Sequence, residues 1–337
     1  MKIGIAIEET WDFFNEIYAD LSEHHQTKLF HPKAINLPVF NERVNRILFK
    51  WYLGNFLRSN DVVFFEWASE LLASASHLPK DSGIVTRLHR YEMYQWVDQV
   101  NWEEIDKIIL VSKAKEREFA ELFPEQAHKT VVIPEAISLR RYLYQPKPFK
   151  GDIGILCNLS PRKRVYELVL GFYDLVQLRG DFHLHIGGGK HPKFKEYYGI
   201  LHGLVENLSI QDKVTFYDRV SNPQDWFHQI DIFISNSYSE GLQVSCIEAM
   251  ASGCYCFSHH WDGADELLPD EHLFYTNGQM VEKILQYSLL PEAEKREKLA
   301  VLRSTVEEKY DIDKTKLQIR QVLEQVGAAR NLDYSKR

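Results

Sequence analysis

Residues 230–253, IDIFISNSYSEGLQVSCIEAMASG, leave few folds open to the chain. Ile230, Ile232, Phe233 and Ile234 make a short apolar run of the kind a buried strand needs. Residues 235–243 are small and polar with one glycine, a turn signature. Val244, Ile247, Met250 and Ala251 then keep helical spacing, and Gly253 stands where a helix stop belongs. Strand, tight loop and helix form the junction of an open α/β sheet, and the loop of such a junction lies at the carboxyl edge where ligands bind. The N–H groups of the first helical turn have no partner inside the helix, so they favour an anion such as a phosphate.

Two carboxylates bracket this junction, Glu240 in the loop and Glu248 in the helix. Beside a phosphate site, acids suit neutral hydroxyls, which they hold through charged hydrogen bonds. A ligand carrying both phosphates and sugar hydroxyls would therefore satisfy both halves. The plainer reading makes Glu240 a helix-dipole acid and Glu248 a solvated helix residue, and spacing alone leaves both open. The string SEGLQVSCIEAMASG resembles the Glu-x7-Glu signature of retaining glycosyltransferases with the GT-B fold, most closely glycosyltransferase family 4. That pattern runs S-x-x-E-G-f-G-x-x-x-x-E-A-M-A-x-G. Ser237, Glu240, Gly241, Glu248, Ala249, Met250, Ala251 and Gly253 match it, and Gln243 stands at its second glycine.

The chain has 337 residues, enough for two domains of ordinary size. A hydrophobic content of 45% with 26% charged residues is that of a globular protein, and a net charge of -8 with no basic block argues against nucleic acid as a partner. Acids outnumber bases in both halves. No apolar run reaches membrane-spanning length, Met1-Lys2 leads straight into a strand, and Cys157, Cys246, Cys254 and Cys256 lack the spacing of a disulfide framework. The expected location is a reducing cytoplasm.

In the first half, strands are expected at 3–7, 27–30, 61–66, 83–88, 108–112 and 130–134, with helices over 11–24 and 115–123. No G-x-G-x-x-G follows the first strand, so the dinucleotide fingerprint is absent, and so is the glycine-rich loop that many family 4 enzymes carry there. Residues 41–58 pair an apolar face (Val44, Ile47, Leu48, Trp51, Leu53, Leu57) with a basic rim of Arg43, Arg46, Lys50 and Arg58. Such a helix either packs on the sheet with its basic side in water or lies in a membrane interface. His89 follows the strand 83–88, at the crevice side of such a sheet. The resemblance implies that His89 contacts the donor sugar or the acceptor. Where the family has Pro-Asn-Gly after its last N-terminal strand, this chain has Pro134-Glu135-Ala136.

In the second half, residues 157–164 (CNLSPRKR) resemble the family's G-R-L-x-x-x-K-G loop, whose cations hold the donor diphosphate. Lys163 matches the lysine, Asn158 replaces the arginine, Cys157 and Arg164 replace the glycines, and Arg162 or Arg164 could restore the missing charge. Gly187-Gly188-Gly189-Lys190 fails the P-loop spacing. Residues 214–220 resemble the base-holding segment, with Asp218 at the usual glycine and Arg219 as a candidate base contact. Cys254, Cys256, His259 and His260 invite a zinc reading, but one unbroken strand cannot easily supply a tetrahedral site, so buried thiols are expected instead.

The resemblance thus implies an α/β GT-B fold of two Rossmann-like domains, with parallel sheets facing an interdomain cleft. The expected boundaries are an acceptor-side domain at 1–138, a linker at 139–150, a nucleotide-sugar domain at 151–312, a helix at 313–328 packing on the first domain, and a tail at 329–337. The implied reaction moves a sugar from a nucleotide-sugar donor to a hydroxyl of a glycan or lipid-linked acceptor, with retention and without a metal or other cofactor, in polysaccharide or lipid-linked glycan synthesis. Glu240 and His89 would be catalytic. Lys163, Arg162 and the backbone of Leu242, Gln243 and Val244 would hold the diphosphate, and Glu248 the ribose. Residues 41–58 would give peripheral contact with the inner face of the membrane. A GT-B-like epimerase or phosphorylase, and an inactive nucleotide-sugar-binding subunit, remain alternatives.

Overall fold

A computed structural model describes residues 1–11, 14–33 and 41–334, and the side chains of Asn41 and of 331–334 are outside the description. The chain divides into two compact units, Met1–Glu135 with Ile312–Arg337, and Ala136–Asp311. Each is built on one six-stranded parallel sheet.

The first unit contains β1 (Lys2–Ala6), β2 (Gln26–Leu29), β3 (Val62–Phe65), β4 (Gly83–Leu88), β5 (Lys107–Leu110) and β6 (Thr130–Val132). Their spatial order is β2-β1-β3-β4-β5-β6. The central strands β3 (VVFF) and β4 (GIVTRL) are buried along their whole length, which is why they read as apolar runs rather than as alternating ones. The helix Asn15–His24 begins later than the expected 11–24, and positions 12 and 13 of that expectation lie outside the described residues.

The last helix, Ile312–Tyr334, belongs to this first unit. Val326 sits over Gly83, where an added Cβ would come within 2.4 Å of its Cγ1. Arg330 reaches Asp106 at 3.1 Å and Glu324 reaches His25 at 3.1 Å. A tail was expected from 329, but helix continues to Tyr334, and 335–337 lie outside the described residues.

The second unit contains β7 (Asp152–Leu156), β8 (His183–Gly187), β9 (Val214–Phe216), β10 (Ile232–Ser235), β11 (Tyr255–His259) and β12 (Leu273–Phe274). Their order, β12-β11-β10-β7-β8-β9, is the doubly wound one. The order reverses between β7 and β10, so the loops leaving those two strands flank the crevice where such sheets take ligands. Asp231 fixes this join: its Oδ2 accepts from the main-chain N–H groups of Lys150, Gly151 and Asp152 at 2.7, 2.8 and 3.0 Å. Residues 139–150, expected to be a linker, fall within this unit and carry no helix or strand. Among the described residues no helix is long and apolar enough to cross a membrane.

Candidate functional site

The loop after β7 passes through one 3-10 turn, Pro161–Lys163, and then Arg164 before the helix Val165–Leu178. The loop after β10 leads to the helix Val244–Ser252, which Gly253 ends in the left-handed conformation at φ 95°. The two loops are laced together. Asn236 Nδ2 donates to Arg164 O at 2.8 Å, Tyr238 N to Arg162 O at 3.0 Å, and the Arg162 guanidinium to Ser239 O at 2.7 Å.

This lacing gathers the charges singled out in the sequence. Lys163 Nζ lies 2.5 Å from Glu240 Oε1, and Arg162 NH1 lies 2.8 Å from the same oxygen. Glu240 is buried. Burial alone would push its carboxyl up, but Lys163 and Arg162 outweigh burial and hold it below the usual range. Both cations share this one carboxylate, so the three groups together keep a net charge of +1.

Leu242 and Gln243 are buried at the start of the helix Val244–Ser252, with Gln243 as its N-cap residue. The Gln243 side chain turns towards the sheet, where Ser235 Oγ meets Oε1 and Nε2 donates to Ser245 Oγ at 3.3 Å. Its φ is -98°, so the family's second glycine is not needed here for conformation. Glu248 is half-buried further along the helix and accepts from the Tyr142 hydroxyl. Burial pushes the Glu248 carboxyl up to about 7, against the opposing effects of Tyr142 and Arg141.

The turn after β8 closes on the same crevice. Gly188 has φ 139°, and a Cβ there would stand 1.8 Å from Cys157 O, so only glycine fits. Gly188 N donates to Asp218 O at 2.7 Å, and Arg219, exposed, follows beside this turn. Two residues that replace family glycines keep a glycine-like backbone: Arg164 has φ 51° and Asp218 φ 47°.

His89 belongs to the first unit and is buried at the end of β4. Its ring stacks on Trp67 with centroids 4.0 Å apart. Nδ1 is 3.4 Å from Glu92 Oε1, and Nε2 is 3.3 Å from Glu135 and 3.9 Å from Glu66. Burial pulls the imidazole down, but Glu92 and Glu135 more than offset it and raise it to about 9. His89 is therefore an imidazolium at neutral pH rather than a free base. Glu66 also pairs with the buried Arg87 of β4.

Tyr142, which contacts Glu248, and Trp67 and Glu92, which contact His89, were not visible as neighbours of these residues in the sequence. Glu135 carried the one available signal, standing where the resembled family has asparagine. In the helix Asn41–Ser59, Leu53, Phe56 and Leu57 enter the core, while Ile47 and Trp51 stay exposed on a helix that also carries Arg43, Arg46, Lys50 and Arg58. Cys254 and Cys256 are buried, and their thiols point at main-chain carbonyls, Cys254 Sγ at Phe227 O, 3.3 Å away.

The two parallel sheets and the junction at β7 and β10 define a GT-B protein. Residues 150–287, which lie within the second unit, match the family described as glycosyl transferases group 1. The mannosylfructose-phosphate synthase of Agrobacterium fabrum is 24% identical over 152 residues, 43% of this chain and 34% of that protein. The N-acetyl-alpha-D-glucosaminyl L-malate synthase of Bacillus anthracis is 28% identical over 178 residues, 49% of this chain and 44% of that protein. The matched stretches thus span less than half of either relative. The structure of Anabaena HepE in complex with UDP and glucose superposes with a TM-score of 0.77 over 95% of this chain and 99% of that one, at 16% identity. At that identity the likeness establishes the fold.

Proposed function

We propose that the protein is a retaining glycosyltransferase that takes its sugar from a nucleotide-sugar donor. The observation that carries this reading is the triad of Lys163, Arg162 and Glu240 beside the first turn of the helix Val244–Ser252. A diphosphate entering there meets two cations and the free N–H groups of a helix start. It competes with Glu240 for the cations. Glu240, released from them, is free to accept from the hydroxyls of the donor sugar and to stabilise positive character at its anomeric carbon. The leaving diphosphate gains charge as the glycosidic bond breaks, and Lys163 and Arg162, fixed in place beforehand, stabilise it without a metal. Glu248 accepts from the ribose hydroxyls, Arg219 lies at the base end, and His89 donates to donor sugar or acceptor as an imidazolium.

The HepE structures hold UDP, UDP with glucose, and UDP-glucose, which supports a uridine nucleotide as the first donor to try. A glycan or lipid-linked acceptor fits the exposed Ile47 and Trp51 set among four basic residues, since that composition suits an anionic membrane surface at the inner leaflet. The test is release of nucleoside diphosphate from a panel of nucleotide sugars, with glycan and lipid-linked acceptors. Turnover that Glu248→Ala abolishes by raising the donor KM supports the reading. Equal turnover in the wild type and in Glu240→Ala contradicts it.

A further inference from the structure

The segment 139–145 has no regular secondary structure, yet it is pinned to the helix Val244–Ser252 at several points. Arg303 NH1 donates both to Tyr142 O and to Ala251 O, each at 2.9 Å, so one guanidinium ties the segment to the end of the helix. Gln145 N donates to Ser252 O at 3.3 Å. The Tyr142 ring is buried and packs against Phe227 with centroids 6.2 Å apart. These contacts leave the Tyr142 hydroxyl one position, on Glu248 Oε1.

We propose that Tyr142 is a positioning residue for nucleotide binding, whose hydroxyl holds Glu248 ionised and oriented so that its other oxygen is free for the ligand's vicinal hydroxyls. The inference rests on the assignment of Glu248 to the ribose. A protonated carboxyl would present a donor where the ribose also presents donors, so only the carboxylate accepts from both hydroxyls. Burial works against that carboxylate. The groups that oppose burial are the Tyr142 hydroxyl and, through charge, Arg141 on the same segment. The helix Glu292–Lys309 also packs here, but its Arg303 is engaged on main-chain carbonyls. On Glu248's own helix, Ser252 Oγ donates to the Glu248 main-chain oxygen at 2.8 Å, not to its side chain. The Tyr142 proton is itself held firmly, since burial and the Glu248 charge both raise its hydroxyl, so the tyrosine acts as donor throughout the working range.

Tyr142→Phe removes the hydroxyl and keeps the ring against Phe227. Three readouts follow. In a carbon-13 titration of the glutamate carboxyls, with Glu248→Gln identifying the resonance, the Glu248 midpoint should stand near 7 in the wild type and higher in Tyr142→Phe. In calorimetry with UDP at pH 7, the variant should bind about fivefold more weakly, the ratio of ionised fractions expected when a midpoint near 7 rises by about one unit. The two proteins should converge to within about twofold once the carboxyl is ionised in both. In turnover, the donor KM should rise at neutral pH with kcat unchanged. An unmoved midpoint, an equal loss of affinity at every pH, or tighter binding at every pH would overturn the proposal. Failure of the wild type to bind any nucleoside diphosphate would overturn the donor reading itself, and the carboxyl titration would still decide whether Tyr142 controls Glu248.

Discussion

Glu66 in the first unit and Glu240 in the second are both buried acids beside cations, each just past the carboxyl end of a central parallel strand, but their partners differ. Glu66 faces Arg87, which projects from within β4 and is 1% exposed. Glu240 faces Lys163 and Arg162, which come from a loop and whose side chains are 12% and 35% exposed. A cation sealed inside a sheet is out of reach of a ligand from solvent, so the Glu66 pair is part of the fold. Cations on a loop at a crevice can exchange a carboxylate for a phosphate, which suits the Glu240 group to the diphosphate-binding role proposed for it. The same ionic chemistry is thus structural or functional according to where the cation is anchored.

Breaking each group separately should expose this difference. The largest effect is expected on activity: Glu240→Gln should lower sugar transfer by about 10²–10³-fold, the usual cost of removing one group that stabilises charge in the transition state. Its stability in urea should change by less than about 2 kcal/mol, since Lys163 and Arg162 can both reach water. Next, Glu66→Ala should cost about 3–5 kcal/mol in the same denaturation experiment, because it breaks a fully buried ion pair by removing one partner. Equal losses of stability in the two variants would mean that the Glu66 and Glu240 groups do not differ in this way.

The third prediction concerns pH. His89 is raised in the folded chain from the ordinary histidine value to about 9 by Glu92 and Glu135, against burial. Its contribution is fully present below about pH 6.5, the unfolded value, and is lost as pH rises through about 9. A shift of that size is worth roughly 3 kcal/mol. Stability measured by urea between pH 6 and 10 should therefore fall in the wild type and fall much less in His89→Gln. Glu240 has the opposite sign: held below its usual range, it contributes above the ordinary carboxylate value and is lost as acid protonates it.

The parallel sheets were legible because their strands are buried on both faces, so runs such as VVFF and GIVTRL announce themselves without alternation. The junction at β10 was legible because turn, helix start and helix stop are all local in sequence. The helices Lys195–Asn207 and Asn277–Ser288 went unread, the second despite a capping box between Thr276 and Gln279. Tyr142 could not be found from pattern, because it lies in a segment with no period and meets Glu248 only through the fold. The cluster around His89 likewise draws on the ends of β3, β4 and β6, which sequence distance hides.

The replaced glycines give the smallest and sharpest test. The sequence marks Arg164 and Asp218 as departures from the family, yet both keep a left-handed backbone. Asp218→Gly should therefore gain about 0.5–1 kcal/mol, relieving that strain while losing one exposed hydrogen bond from Tyr198. A loss of stability would show that the side chain, not the backbone, matters there.

The most direct test of the central claim is the melting temperature of the protein with UDP, with and without EDTA, in the wild type and in Glu248→Ala. UDP at about 100 times its dissociation constant should add about 2.7 kcal/mol to the stability of the wild type. The account predicts a raised melting temperature that EDTA leaves unchanged and that Glu248→Ala removes. No shift with UDP or with any other nucleoside diphosphate would contradict it, and an equal shift in Glu248→Ala would show that the nucleotide binds somewhere other than the β7–β10 crevice.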